Sequence, residues 1–114
     1  MAESIAKCIQ PDGFFRTSLI EPTEFESPET SGTALFALGY LFGINLGLLD
    51  KKYLDLVCKS FAAINTVALE PSGRLGWVQT IADCPEVPVK KESTNDYAYG
   101  TYLQICKEIL PHCE

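Results

Sequence analysis

The sequence predicts an all-α chain of about three helices joined by short strand segments and loops. Three segments carry apolar residues at helical spacing, and turn-forming residues separate them. The central segment, residues 30–46, is apolar around its whole circumference, which is typical of a helix with neighbours on every side. With 114 residues, the chain has room for one domain.

The first elements are a short helix and a short strand. Ile5 and Cys8 lie three residues apart, which indicates a helix over residues 3–9 that ends at the turn over residues 10–13. Such a short helix is marginal alone, so we expect it to be the end of an element that has lost its beginning. Residues 14–19 have the pattern of an extended strand.

The central helix follows an acidic, proline-containing loop over residues 21–29. Ser27 and Pro28 predict the start of the helix, because a hydroxyl can cap and proline suits the first turn. Glu29 would then complement the positive end of the helix dipole. Gly47 predicts a left-handed stop.

The second half of the chain holds two more helices. Asp50 is expected to cap a helix of about 18 residues. A turn over residues 71–73 leads into a predicted strand over residues 74–80 and a long loop over residues 81–95. The third helix begins between residues 96 and 100 and ends before Pro111.

Charge and hydropathy exclude two classes of partner. The net charge of -6 repels phosphate backbones, so we expect no nucleic-acid binding. The apolar run over residues 33–49 is too short for a membrane helix and is interrupted by Asn45, so we expect no membrane span. Residues 1–8 lack the apolar core of a secretory signal, and we expect a cytoplasmic protein.

The five cysteines predict neither a metal site nor a disulfide framework. They form no Cys-x-x-Cys pair, and the chain has one histidine. Cys58 and Cys106 fall among apolar residues at helical spacing, which favours small core side chains in a reducing compartment over a disulfide.

Single motifs carry little chemistry in this sequence. Acid and base groups could come only from carboxylates, because the one histidine, His112, stands beside the end of the chain. The glutamates of the 21–29 loop fit either two carboxylates placed across a sugar or a solvated loop, and the solvated loop is the simpler interpretation.

Several motifs together are far more specific. The motifs, in chain order, are DGFFRTSL at 12–19, SPETSGTALF at 27–36, GIN at 43–45, GLLD at 47–50, GRLGWVQ at 73–79 and YGTYL at 99–103. This order and spacing resemble the C-terminal part of the unsaturated rhamnogalacturonyl hydrolases of glycoside hydrolase family 105 and their relatives in family 88. The resemblance covers nearly the whole chain.

The resemblance implies a fold and an activity. Members form an (α/α)6 toroid of six helical hairpins, of which residues 1–114 would be a single C-terminal piece. They need no cofactor and remove the terminal unsaturated uronic acid from oligosaccharides that polysaccharide lyases release, using an aspartate that hydrates the double bond of the sugar. The motif around that aspartate has no counterpart here. We therefore expect a chain that takes part in pectin degradation through a parent enzyme and is inactive alone.

A second interpretation stays open. The chain could be a non-catalytic helical module that keeps the scaffold of this fold and associates with itself or with another protein through the apolar faces of its inner helix.

The resemblance also selects candidate substrate-binding residues. It places the beginnings of inner helices at the mouth of the toroid, where free backbone N–H groups suit an anionic uronate. Glu29, Thr30 and Ser31 lie there, with either a capping or a substrate role. Arg16 could pair with a sugar carboxylate or with the acidic loop. Trp77 could stack on a sugar or pack in the core.

Overall fold

The computed structural model describes residues 1–81 and 87–113. Within them the chain forms four α-helices: α1 Ala2–Ala6, α2 Thr30–Asn45, α3 Leu54–Ala63 and α4 Asp96–Glu108. These residues contain no β-strand, only an isolated bridge between Leu69 and Leu75. The all-α class is confirmed, and the predicted short strands are wrong.

The helix α2 is the centre of the fold, since it packs against both α3 and α4. Its buried apolar side chains are Ala34, Ala37, Leu38, Tyr40, Leu41 and Ile44. The short α1 packs on the same core, and the Tyr40 hydroxyl donates a hydrogen bond to the Ala2 carbonyl. This contact attaches α1 to the core, and α1 is too short to be stable by itself.

One flank of α2 remains exposed and apolar. It carries Leu35, Gly39, Phe42 and Leu46, and the exposed fractions of the three large side chains are 57%, 40% and 71%. We name these four residues the α2 stripe. The expectation of neighbours on every side is therefore not met within the described residues, because α3 and α4 cover only the remaining faces.

The end of α2 agrees with the prediction, but its beginning does not. Gly47 has a φ of 71°, and its N–H donates to the Ile44 carbonyl at 3.0 Å. The Leu48 N–H donates to the Gly43 carbonyl at 2.8 Å, which completes a glycine-based helix stop. The helix begins at Thr30 with Glu29 as its N-cap, so the predicted capping by Ser27 is wrong.

The second predicted helix is confirmed over residues 51–68. It consists of a 3₁₀ turn at Lys51–Tyr53, then α3, then a π turn at Ile64–Ala68. The Asp50 carboxylate caps its start by accepting from the Lys52 N–H at 2.7 Å.

The expectation for the cysteines is only partly met. Cys58 is exposed and Cys106 is half-buried, so neither is the core side chain that helical spacing predicted. Cys58 follows the buried Val57, and one residue along a helix turns the side chain away from the core. The described cysteines are free, and Cys84 lies outside the described residues together with the rest of positions 82–86.

Irregular hydrogen bonding replaces the two predicted strands. The Phe15 N–H donates to the Thr33 hydroxyl at 2.9 Å rather than to a neighbouring strand. The N–H groups of Trp77 and Val78 donate to the carbonyls of Lys91 and Ser93 at 3.3 and 3.0 Å. Trp77 has a φ of 56°, which a regular strand does not allow.

The third predicted helix is confirmed as α4. Asn95 precedes it, and Ala98 and Ile105 bury against the core, whereas Leu103 and Leu110 are each 65% exposed. A 3₁₀ turn at Leu110–His112 follows the helix. No described helix has the length and hydropathy that crossing a bilayer requires.

We predict unequal effects from two glycine substitutions. Gly13 and Gly73 have φ values of 88° and 85°, but an added Cβ at Gly13 would lie 2.8 Å from the Ala63 Cβ and 2.9 Å from the Lys59 carbonyl oxygen. Gly73 has no such neighbour within 4 Å. Gly73→Ala should lower the free energy of unfolding by about 1–2 kcal/mol through backbone strain alone.

Gly13→Ala should lower the free energy of unfolding by about 3 kcal/mol or more, because steric overlap adds to the backbone strain. Urea denaturation of both variants measures the difference. Equal losses for the two variants would contradict the close packing at Gly13.

Candidate functional site

The first turn of α2 is built around a buried carboxylate. Glu29 is 5% exposed. Its Oε1 accepts hydrogen bonds from the Ser31 N–H at 2.9 Å, the Ser31 hydroxyl at 2.5 Å and the Gln79 N–H at 3.1 Å. Its Oε2 accepts from the Gly32 N–H at 2.6 Å. We name Glu29, Ser31, Gly32 and Gln79 the Glu29 cluster.

This cluster changes the expected chemistry of the helix end. The Thr30 N–H donates to the Trp77 carbonyl at 2.8 Å, and the next two N–H groups donate to Glu29. The expectation of free N–H groups for an anionic sugar is therefore wrong, because the protein's own carboxylate occupies that place. Glu29 has the capping role that the sequence left open.

Gly32 makes room for the carboxylate. An added Cβ at Gly32 would lie 2.6 Å from the Glu29 Oε2, closer than side chains tolerate. The glycine of the TSGT segment therefore allows the carboxylate to close over the helix end.

Two threonines connect the cluster to the rest of the chain. The buried Thr30 hydroxyl donates to the Gly76 carbonyl at 2.8 Å. The buried Thr33 hydroxyl donates to the Glu29 carbonyl at 2.6 Å and accepts from the Phe15 N–H at 2.9 Å. The start of α2 thus holds segments that lie far apart in sequence.

Trp77 joins the site through its backbone. Its carbonyl accepts from Thr30, whereas its indole is half-buried and packs against the core. This placement is that of the core interpretation, and a stacking role for Trp77 stays a prediction. Tyr97 donates from its hydroxyl to the Gln79 carbonyl, which ties α4 to the same segment.

Thr33, Gln79 and Tyr97 were not among the residues selected from the sequence. The first two belong to the motifs at 27–36 and 73–79, which is the signal that could have found them.

Arg16 has a different partner from the two expected ones. Its guanidinium donates to both carboxylate oxygens of Asp12, at 2.8 and 3.2 Å. The expected pairing with the acidic loop is therefore wrong. Burial opposes ionisation of Asp12, but hydrogen bonds from Arg16 and from the Phe14 N–H outweigh it and hold the pKa of Asp12 below its ordinary value.

Comparison with known sequences decides the family. Residues 1–112 match the family model described as Glycosyl Hydrolase Family 88. The chain belongs to glycosyl hydrolase family 88. The resemblance inferred from the motifs is confirmed, and the chain is homologous to carbohydrate hydrolases.

Two curated relatives of this family 88 chain carry the same name, unsaturated 3S-rhamnoglycuronyl hydrolase. The protein from Alteromonas sp. is 36% identical over 110 residues, which are 96% of this chain and 26% of the relative. The protein from Formosa agariphila is 36% identical over 111 residues, which are 96% of this chain and 29% of the relative.

Solved structures agree with the family assignment. A glycosyl hydrolase of family 88 from Bacteroides vulgatus matches with a TM-score of 0.87 and 40% identity, over 95% of this chain and 32% of that one. A protein described as a polysaccharide lyase matches with a TM-score of 0.88 and 37% identity, over 97% of this chain and 32% of that one. The family 88 chain thus spans 26–32% of the length of these relatives.

Glu29→Gln should lower the free energy of unfolding by about 2–3 kcal/mol. Both carboxylate oxygens of Glu29 accept from backbone N–H groups, so the NH₂ group of a glutamine would face an N–H donor in either orientation of the amide, and that donor would lose its partner. Glu21→Gln is the matched control. Glu21 is exposed, and we expect its change to stay within about 0.5 kcal/mol. Urea denaturation with far-ultraviolet circular dichroism measures both, and equal stabilities would contradict the capping role of Glu29.

The lowered pKa of Asp12 predicts that its contribution to the free energy of unfolding depends on pH. Its pKa is lowered on folding, so its contribution is present above the ordinary value of 3.8 and is lost as pH falls through the lowered folded-state pKa. The free-energy difference between the native chain and Asp12→Asn should be at most about 1 kcal/mol near neutral pH, because the carboxylate is 41% exposed.

The free-energy difference between the native chain and Asp12→Asn should shrink as pH falls below 3.8. Arg16→Gln removes the guanidinium and should remove most of the same pH dependence. Urea denaturation across an acidic pH series measures it, and a difference that grows toward low pH would contradict the sign.

Proposed function

We propose that this chain is the C-terminal piece of an enzyme that removes the terminal unsaturated uronic acid from pectin-derived oligosaccharides. The match to family 88 over residues 1–112 carries the proposal. The names of the two curated relatives support it, since both are unsaturated rhamnoglycuronyl hydrolases. The rhamnose-linked uronic acid is the substrate class that we infer from those names.

The proposed architecture is part of an (α/α)6 toroid. The α2 stripe supports it, because a soluble chain rarely keeps a contiguous apolar flank without a partner. In this proposal, further helices of the toroid cover the stripe. An open groove of about 230 Å³ between α1 and α2, lined by Met1, Ile5, Leu35 and Leu49 among others, continues the same apolar surface.

The catalytic group is proposed to lie outside this chain. The sequence has no counterpart of the family's aspartate motif. The carboxylate of Glu29 already accepts four hydrogen bonds, which leaves it little capacity for moving a proton. We therefore assign the Glu29 cluster a positioning role, in which it holds residues 76–79 against the start of α2.

The other candidate residues remain proposals within this scheme. Thr30 is fully buried, so it would act on a substrate only through the backbone that it holds. Ser31 is 8% exposed and could accept a hydrogen bond from a sugar hydroxyl. Arg16 would have to exchange Asp12 for a sugar carboxylate, and Trp77 would offer an edge of its half-buried ring.

A chimera tests the proposal. Residues 1–112 of this chain would replace the matching segment of the Alteromonas relative, with an unsaturated rhamnoglycuronyl disaccharide as substrate and the absorbance of its double bond as the signal. We expect the chimera to consume the signal and the purified 114-residue chain to leave it unchanged.

Two outcomes would contradict this proposal. Steady loss of the signal with the purified chain alone would show that it contains its own catalytic group. A chimera that is folded by circular dichroism but inactive would remove the enzymatic role. If the purified chain is also a monodisperse dimer, the second candidate function, a non-catalytic module that associates through the α2 stripe, would replace it.

A further inference from the structure

Three of the described cysteines lie where α3 passes α4 and the turn that follows α4. Cys58 and Phe61 are three residues apart on α3 and therefore share a face of that helix. Phe61 stacks on Tyr102 of α4, with the ring centroids 5.8 Å apart. Cys106 lies one turn after Tyr102, and Cys113 follows the 3₁₀ turn after α4. The aromatic stack therefore directs the face of α3 that carries Cys58 toward α4.

The end of α4 is held beside the start of α3. The Asn45 side-chain amide, at the end of α2, donates to the Glu108 carbonyl at 3.1 Å, and its oxygen lies 2.7 Å from the His112 Nε2. Tyr53, immediately before α3, packs its ring on Tyr40 of α2 with the centroids 5.1 Å apart. The first turns of α3 therefore lie at the level of the segment that follows α4.

Cys113 is the thiol that meets Cys58 at this level. The Cys113 Sγ lies 3.4 Å from the Ile109 carbonyl oxygen, so the thiol folds back toward α4. Burial raises the pKa of the Cys58 thiol, and the nearby Asp55 and Cys113 groups raise it further. Both thiols are free and exposed. They are therefore near each other and open to small reagents.

Cys106 is a weaker partner for either thiol. It is half-buried, and burial together with the adjacent Cys106 thiol raises the pKa of Tyr102 on the same helix. Within residues 1–81 and 87–113, no group of three or more His, Cys, Asp and Glu side chains could hold a metal ion. The arrangement therefore favours chemistry between two thiols.

We propose that Cys58 and Cys113 form a reversible disulfide that fastens the segment after α4 to α3. Oxidised glutathione is the oxidant. One cysteine thiolate attacks it, forms a mixed disulfide and releases one glutathione. The other cysteine thiolate then attacks the protein sulfur of the mixed disulfide and releases the second glutathione. The protein loses two hydrogens and two electrons, and the glutathione disulfide is reduced to two thiols.

The disulfide would act on stability and leave the Glu29 cluster unchanged. The cluster lies at the start of α2, whereas Asn45, which holds the segment after α4, ends the same helix. The helix rise separates these two ends by about 20 Å. The crosslink would close a loop of about 55 residues and so reduce the conformational entropy of the unfolded chain. This inference does not depend on the proposed function.

The test is oxidation of the full 114-residue chain with oxidised glutathione. The pH should be mildly alkaline, because the raised pKa of Cys58 slows exchange near neutrality. We expect the loss of two free thiols, and peptide mapping without reductant should link Cys58 to Cys113. Oxidation should raise the Tm by about 5–15 °C, and dithiothreitol should reverse the rise.

Serine variants identify the two sulfurs. Cys58→Ser and Cys113→Ser should each abolish the linked peptide and the difference in Tm between the oxidised and reduced forms. Cys113 is exposed beyond the last helical turn, so its variant keeps the test valid if Cys58→Ser fails to fold. Cys8→Ser and Cys106→Ser, which remove the half-buried thiols, are the matched controls and should keep both signals.

Three results would overturn the proposal. The first is a linked pair that includes any other cysteine of the chain. The second is glutathione adducts on Cys58 or Cys113 without the internal disulfide, which would show that the two sulfurs cannot meet. The third is an internal disulfide that leaves the Tm unchanged, which would show that it fastens nothing.

Discussion

The Glu29 carboxylate is the contact on which the arrangement of this chain depends. It accepts hydrogen bonds from the first turn of α2 and from Gln79, fifty residues away. A buried charge is tolerated only when its hydrogen bonds are satisfied, since an unpaired one costs several kcal/mol. The start of α2 and the segment at 76–79 must therefore order together, and Thr33 extends the same constraint to Phe15.

Local signals were sufficient for the helices and insufficient for their connections. Residues 51–68 and the stop at Gly47 followed from spacing, a carboxylate cap and a glycine, each of which acts within a few residues. The start of α2 could not be placed in the same way. Ser27, Pro28 and Glu29 are all acceptable near a helix start, and Glu29 differs from the other two by an additional hydrogen bond from the distant Gln79 N–H.

The difference between local signals and long-range contacts also explains why the strand predictions were wrong and why the contacts of the candidate site were missed. Phe15 and Trp77 have strand-like neighbours in sequence, but their hydrogen bonds go to a helix side chain and to an irregular segment. Glu29, Thr30, Ser31 and Trp77 were selected separately as candidate residues, and the structure joins them in one hydrogen-bond network whose helix-end N–H groups are already occupied. Arg16 was assigned to a more distant partner when Asp12, four residues earlier, was available.

The occupied helix end limits how the proposed substrate can be recognised. An anionic uronate placed directly on the start of α2 would face the negative charge of Glu29 instead of free N–H groups, and that contact is repulsive. The positive groups that bind a uronate would then have to come from elsewhere in the proposed toroid, since the guanidinium of the candidate residue Arg16 is held by Asp12. The acidic loop beside the same helix end repels anions as well. The start of α2 therefore disfavours direct contact with an anionic ligand.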